Sequence, residues 1–388
     1  MRSVFIRFLI LSSLFAQCAL GAPRDPAALA PPQGAQVSKH ITDKAYPGVT
    51  LYPVRKSRVL LLDMQGGVIN SWKVPAVRAR LLPSCNLLVV HDGEQLSDVV
   101  TEYSWDGEIV WKYKAKSGIH HDVRRLDNGN TIFPIRRQLR YEIPSKDGVS
   151  PPRQAKMRSD TVLEVTPKGE MVWEWHADEY LDTKSWGANK AQPPYDSIKW
   201  TQIVRDWSHL NTVSVIPPNK WHDQGDKRFK PGNIMVLLRN LWSVYVIDKD
   251  TKEITWTYTG DYKGGMIFPH ESHLLPKDLP GAGNVLIFDN GRDKRGSFIL
   301  EVNPATNKVV WSYEDGMRFF SKGQGSVQRL PNGNTLISED DRGRVFEVTP
   351  QKEIVWEYLG NSILRRAHRY SYDYCPKAAE VLRQDATK

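Results

Sequence analysis

GGVINSW (66–72), DGEIVW (106–111), KGEMVW (168–173), KEITW (252–256), NKVVW (307–311) and KEIVW (352–356) are six copies of one phrase. Each is a turn carrying Gly, Lys or Asn, followed by an alternating strand that ends on Trp. Ahead of most copies runs another strand with its own signature: LEVTP (163–167), YVIDKDT (245–251), LEVNPAT (300–306) and FEVTP (346–350). Further upstream sits a tight turn, LDNGNTI (126–132) or LPNGNTLI (330–337), with the variants LPSCNLLVV (82–90) and PGAGNVLIF (280–288). The unit is therefore strand, Asn-Gly turn, strand, loop, strand, turn, strand ending in Trp. Such a unit cannot bury both its faces alone and needs copies of itself as neighbours. Four antiparallel strands repeated six times predict an all-β chain, a six-bladed β-propeller.

The ends of the array support a closed ring. Only about three strands precede the first Trp: GVTLYPV (48–54), SRVLLLD (57–63) and GVINSW (67–72). The last unit is followed by a spare segment, ILRRAHRYSYDY (363–374). That segment is expected to supply the missing innermost strand of the first blade, which removes open sheet edges. The propeller is placed at 45–375, after a signal peptide (1–21) and a flexible leader (22–44), with a C-terminal tail at 376–388 in which Pro376–Gln384 has helical character.

The N-terminus reads as a secretory signal. Arg2 and Arg7 precede a short apolar core, Phe8–Leu14, and Ala19-Leu20-Gly21 offers a cleavage site. The apolar run is too short to span a bilayer, so no integral membrane segment is expected and the location is secreted or periplasmic. The compartment permits a disulfide between the two remaining cysteines, Cys85 and Cys375. Cys85 stands where other repeats carry the Gly of the turn, and Cys375 follows the proposed closing strand, so a bridge between neighbouring strands is reasonable; two free thiols are the alternative. Neither belongs to a CxxC pair. The formal charge of +9, from 53 basic and 44 acidic residues, favours anionic ligands without naming one. Secretion and the lack of a long Lys/Arg run argue against nucleic acid.

Candidate chemistry lies in the histidines. Aligning repeats on the turn sets HHDVRRLD (120–127) beside HESHLLP (270–276) and QGSVQRLP (324–331). His121 and His270 then share one position at the innermost, channel-lining strands. His209, in WSHLNTVSVIP (207–217), falls within two residues of it. Three histidines from three blades converge on one channel mouth. His120 should alternate away from the channel, and His273 either approaches the axis lower down or packs. Arg239, in GNIMVLLRN (232–240), would bind an oxyanion bidentately or form a surface salt bridge. Asp289 and Asn290 end the matching strand of the next blade and either orient a His or cap a turn. The long insert at 177–206 runs into the His209 strand. Its aromatics, Trp186, Tyr195, Trp200 and the adjoining Trp207, would suit an aryl substrate as a lid or serve as a structural flap. Three histidines on an axis are also compatible with a catalytic metal, giving a lyase or hydrolase, and a non-catalytic ligand-binding propeller is a further alternative.

The combination of HHD (120–122), DWSHLN (206–211), LLRN (237–240), a His before NVLIFDNG (284–291), SEDDRGRVFEVTPQKEIVWEY (338–358) and the closing RRAHRYSYDY (365–374) resembles the bacterial arylsulfotransferase family. The resemblance covers nearly all of 45–375 and implies a six-bladed propeller. It also implies transfer of a sulfuryl group from an aryl sulfate to a phenol, with no nucleotide donor, cofactor or metal. By position, His270 matches the histidine that becomes sulfated. His121, His209 and Arg239 match the residues around the transferred group, and Asn211 matches the Asn two places after the second histidine.

Overall fold

Each of the six tryptophans lies on the fourth strand, counted from the axis, of an antiparallel sheet; five of the sheets have four strands and the sixth has five, and the six form the blades of a propeller. The computed structural model describes residues 29–93, 96–143, 153–183, 206–292 and 295–385; the expected signal peptide and most of the long insert lie outside them. From the axis outward, the second blade runs Ala76–Leu81, Leu87–His91, Val99–Tyr103, Ile109–Lys114. The third to sixth repeat that order, with inner strands Arg124–Arg125, Leu210–Val215, Glu271–Leu274 and Ser326–Arg329. In the first blade the inner strand is His368–Tyr370, from the far end of the chain, paired with Val49–Pro53. The expected closure by the C-terminal segment is therefore what is observed.

The middle strands are apolar on both faces because each blade is sandwiched between two others. Leu60 and Leu62 enter the apolar layer shared with the sixth blade, while Val59 and Leu61 enter the layer shared with the second. In the fourth blade, Ile234, Val236 and Leu238 face the third, and Met235 and Leu237 face the fifth. The period-2 alternation of a strand thus sorts its side chains into two cores. Each such side chain, fully buried, contributes about 1.5–3 kcal/mol.

The repeated Trp has a specific task. Its indole N–H donates to a carbonyl in the last turn of the following blade: Trp72 to Ser104, Trp111 to Pro167, Trp173 to Lys249, Trp256 to Pro304, Trp311 to Pro350 and Trp356 to Met64, at 2.8–3.0 Å. The sixth closes the circle. A second repeated tie joins the Asn of the tight turn to the Glu of the third strand: Asn86–Glu102, Asn130–Glu164, Asn284–Glu301 and Asn334–Glu347, at 2.6–2.7 Å.

At the two ends of the chain one expectation changes and one holds. Residues 36–40, read as part of a flexible leader, form a strand (Gln36–His40) against the outermost strand of the sixth blade, Ile354–Leu359. That strand would otherwise be an open edge, and Val37 packs on the apolar layer beneath. The C-terminal tail forms a helix, Pro376–Asp385, whose Ala378, Val381 and Leu382 cover the layer between the first two blades. Cys375, at its start, is bonded to Cys85, with Cα atoms 5.1 Å apart. Cys85 adopts the left-handed conformation (φ 66°) that the Gly of this turn supplies in other repeats.

Residues 216–233, between the strands that carry His209 and Arg239, include a short helix, Lys220–Asp223, and a 3₁₀ turn, Lys227–Phe229, and make an extended turn joining the fourth blade's first two strands. That turn is at the opposite end of the channel from the start of the inner strand. Lengthening it leaves His209 and Arg239 together, and Arg239 N–H donates to the His209 carbonyl at 3.0 Å.

Candidate active site

His121, His209 and His270 stand where the chain enters the inner strands of the third, fourth and fifth blades. His121 (φ 61°) and His209 (φ 48°) are both left-handed, as is Phe268 (φ 51°) two residues before His270. Non-glycine residues held there cost about 1–3 kcal/mol each and persist where surrounding structure imposes them, often at functional sites. The rings of His121 and His209 lie 4.6 Å apart, centre to centre, and that of His120 stacks edge-on against His121 at 5.0 Å.

The hydrogen bonds of His270 fix its tautomer. Nδ1 faces two acceptors, Asn290 Oδ1 at 2.6 Å and the Phe268 carbonyl at 3.0 Å. The Asn290 amide cannot be reversed, because its nitrogen donates to the carbonyls of Ser321 (2.6 Å) and Gln324 (2.7 Å). Nδ1 therefore carries the proton and Nε2 a free lone pair. Burial, then the positive charges of Arg366 and Arg239, hold the His270 pKa well below the usual histidine value; the Asn290 bond acts weakly the other way. The ring is neutral at physiological pH.

His209 is oriented from both sides. Nδ1 meets the Asp206 carboxylate, and Nε2 accepts from Arg239 Nη1 at 3.0 Å. Burial and then Arg239 lower its pKa, against the opposing pull of Asp206. Arg239 is further steadied by Asn240 Oδ1 (3.1 Å) and lies over the Phe268 ring, 5.2 Å from its centre. His121 is driven well below the usual value by burial, then by His209, His120, Arg366 and His270. His120 turns away to Asp160 at 2.7 Å. Asp160 also accepts from Ser208 Oγ (2.7 Å) and the Leu210 N–H (2.6 Å), which pins the bend that carries His209.

The remaining candidates divide. Asn211 Nδ2 donates to the Pro269 carbonyl at 3.0 Å, and neighbouring Thr212 Oγ1 donates to that of His270 at 2.9 Å. They tie the fourth blade to the loop carrying His270, while Asn211 Oδ1 is buried with no protein partner. Asp289 is buried and binds the Ile267 and Gly291 N–H groups at 2.8 and 3.1 Å, so it shapes the loop before His270 and does not face a ligand. Trp207 belongs to the apolar core between the third and fourth blades, wholly buried, because the chain dives inward before His209. Its placement corrects the expectation of a substrate-facing ring. Trp186, Tyr195 and Trp200 lie outside the described residues. His273 sits one turn of the strand lower, where burial brings its pKa down to about 4.

Asp206 and Asp160 were missed in the sequence. Asp206 had a signal, an acid three residues ahead of His209; Asp160 had none, since it reaches His120 from another strand. A three-histidine metal set is not formed: Arg239 occupies the Nε2 lone pair of His209, and among the described residues no group of three His, Cys, Asp or Glu is placed to hold a metal ion.

Among solved structures, a protein of unknown function from Bacteroides caccae is similar at 14% identity, over 84% of this chain and 99% of that one, with a TM-score of 0.51. The likeness is one of fold. A streptogramin B lyase (13% identity, 85% of this chain and 84% of that one, TM-score 0.44) and virginiamycin B lyase from Staphylococcus aureus (11%, 72% and 68%, TM-score 0.40) are more distant. A search of curated proteins finds no match. The family model described as arylsulfotransferase (ASST) matches residues 99–361, well over half of the sequence and including His121, His209, Arg239 and His270, and the chain belongs to that family.

Proposed function

We propose that the protein moves a sulfuryl group from an aryl sulfate to a phenolic acceptor through a sulfo-histidine on His270. The observation that carries this reading is the pair of acceptors on His270 Nδ1, which leaves a neutral ring with its Nε2 lone pair available. That lone pair attacks sulfur, an N–S bond forms, and the S–O(aryl) bond breaks with its electron pair leaving on the phenolate. Nδ1–H stays on Asn290, so the positive charge that develops on the sulfo-imidazole is shared with an amide oxygen. Arg239, half-buried and already oriented by His209 and Asn240, supplies donors to the sulfuryl oxygens as charge builds.

In the second half-reaction a phenol enters, His121 takes its proton, and the phenolate oxygen attacks sulfur, returning the electron pair of the N–S bond to Nε2. His121 is neutral and next to His209, which suits it to accept a proton and pass it on. The N-terminal signal pattern and the Cys85–Cys375 bond support action outside the cytoplasm, on small aryl substrates; no helix among the described residues is long and apolar enough to cross a membrane.

Incubation with a nitrophenyl sulfate and no acceptor, followed by peptide mass analysis, should add one SO₃ to the His270 peptide and release one equivalent of phenol. His270→Ala should abolish both. Undiminished phenol release by that variant overturns the mechanism. Arg239→Ala should retain slow turnover, reduced by about 10²–10³, the usual loss for one oxyanion donor.

A further inference from the structure

Beneath the histidines lies a buried knot of charge that the transfer steps above do not use. Glu271, which follows His270, meets three guanidiniums from three parts of the ring: Arg78 Nη2 at 3.3 Å, Arg124 Nη2 at 3.5 Å and Arg366 Nη1 at 3.5 Å. Asp122, which follows His121, takes Arg78 Nε at 3.0 Å and Arg80 Nη2 at 2.9 Å, with Arg124 Nε at 3.8 Å. Burial opposes ionisation of both acids, yet the arginines outweigh it and hold both below the usual carboxylate range. Asp340, which accepts the Arg366 backbone N–H at 2.9 Å, is pushed up to about 7 by burial and carries only part of a charge at neutral pH. Four guanidiniums thus meet two firmly ionised carboxylates.

Such a surplus is costly. An uncompensated buried ion carries a penalty of several kcal/mol, and the knot shows where the deficit lies. Arg78 Nη1 is buried with no partner. Arg366 is 4% exposed, and among the described residues its side chain donates one hydrogen bond, to Glu271. Its backbone is held left-handed (φ 56°) by the Asp340 contact, which fixes where the side chain enters. Arg366 leads into the inner strand of the first blade and Arg239 ends a strand of the fourth, so the two come from opposite sides of the ring. After burial, the charge that most opposes protonation of His270 is that of Arg366, ahead of Arg239.

We propose that Arg366 is a second anion-binding arginine of the histidine site, set opposite Arg239, and that Glu271 beneath it tunes its hold on a tetrahedral oxyanion. The anion is the missing counter-charge of the knot. That it is the sulfuryl end of a sulfate ester rests on the function proposed above; the site itself rests on the excess of guanidiniums over ionised carboxylates and on the position of Arg366 across the ring from Arg239. Two guanidiniums on opposite sides would grip the group through both half-reactions, while the phenols change over. Glu271 keeps the grip from becoming too tight for release.

Calorimetric titration of the full chain with inorganic sulfate, against chloride at equal ionic strength, tests this. Wild-type protein should bind one sulfate. Arg366→Gln should weaken it about tenfold or more, the worth of a charge-assisted hydrogen bond, and Arg366→Lys should recover part of the loss. Glu271→Gln should act in the opposite direction and tighten sulfate binding severalfold, which a merely structural role does not predict. A folded Arg366→Gln variant with wild-type sulfate affinity overturns the proposal, as does wild-type protein that binds no sulfate. Should Arg366→Gln not fold, Glu271→Gln decides: unchanged or weaker binding overturns it. Sulfate binding that depends on Arg366 in a protein inert toward aryl sulfates would uphold this site and sink the sulfotransfer reading.

Discussion

The indole of Trp356 donates to the carbonyl of Met64, 292 residues earlier in the chain, at 2.9 Å. It is the last of six equivalent bonds, and it joins the sixth blade to the first. Both partners are buried, so replacing Trp356 by Phe leaves the Met64 carbonyl without a donor, at a cost of about 1–3 kcal/mol, besides the smaller ring. The same change at Trp111, whose bond to Pro167 is exposed, should cost less, since water replaces the donor. Urea unfolding of the two variants checks the order; equal losses would mean that the bond has no special part in closure.

The Cys85–Cys375 bond acts on the other side of the first blade, at its seam with the second. It spans 290 residues and fastens the C-terminal helix to the second blade. A closed loop of that length restricts the unfolded chain strongly, and a stabilisation of about 2–5 kcal/mol is expected. Cys85→Ser with Cys375→Ser should lower the melting temperature and raise proteolysis at the C-terminus, while the kcat of the folded protein stays as it was. Loss of kcat without loss of stability would show that the seam reaches the site.

Much of this was legible in the sequence, for a physical reason. A strand between two blades must be apolar on both faces and end in a defined turn, so the Trp phrase recurs at every blade, and the shortage of one strand at the start forecasts the role of His368–Tyr370. The repeat shows equivalence but not partnership. Asn130 and Glu164 have counterparts in three other blades, yet their 2.7 Å bond becomes evident only when the strands pair. His121, His209 and His270 could be aligned on the turns because the inner strands start alike. Asp160 and Arg366 could not, since Asp160 reaches His120 from another strand and Arg366 enters through a bend set by the tertiary fold. Trp207 misled because an aromatic beside a loop looks available until the backbone turns inward.

Asn290 gives a direct test of the His270 tautomer. Asn290→Asp places a carboxylate 20 residues along the chain against Nδ1–H, where the amide oxygen now sits at 2.6 Å. An adjacent negative charge favours the protonated ring, so the His270 pKa should rise from its depressed value toward neutrality. Protonation removes the Nε2 lone pair. In the wild type, activity should show no loss attributable to His270 down to about pH 6.5, the ordinary histidine value. In Asn290→Asp the acid limb of kcat/KM should move upward into the neutral range, and activity should recover as pH rises. A limb that does not move would mean that Nδ1 is not the atom Asn290 holds.

Asp289 should reveal itself in stability, not in turnover. Burial raises its pKa from 3.8 to about 7, against the two backbone N–H groups that favour the ionised form. A carboxyl whose folded pKa exceeds its unfolded value contributes stability that is fully present below the unfolded value. That contribution is lost as pH rises through the folded one. The window is therefore about pH 4 to 7. Several histidines run the other way: His91 and His273, both brought down to about 4 by burial, cost stability as pH falls from 6.5 to 4. The two trends overlap, which hides Asp289 in the wild-type profile. Asp289→Asn separates them, because the amide oxygen can accept the same bonds from Ile267 and Gly291 but never ionises. The variant's stability relative to wild type should improve as pH is raised from 5 to 8, by at most about 3 kcal/mol, since about two pH units of the window lie in that range. Melting curves at matched ionic strength measure it. A difference that stays constant with pH would show that Asp289 is ionised throughout, and that the loop before His270 is held by a charged carboxylate.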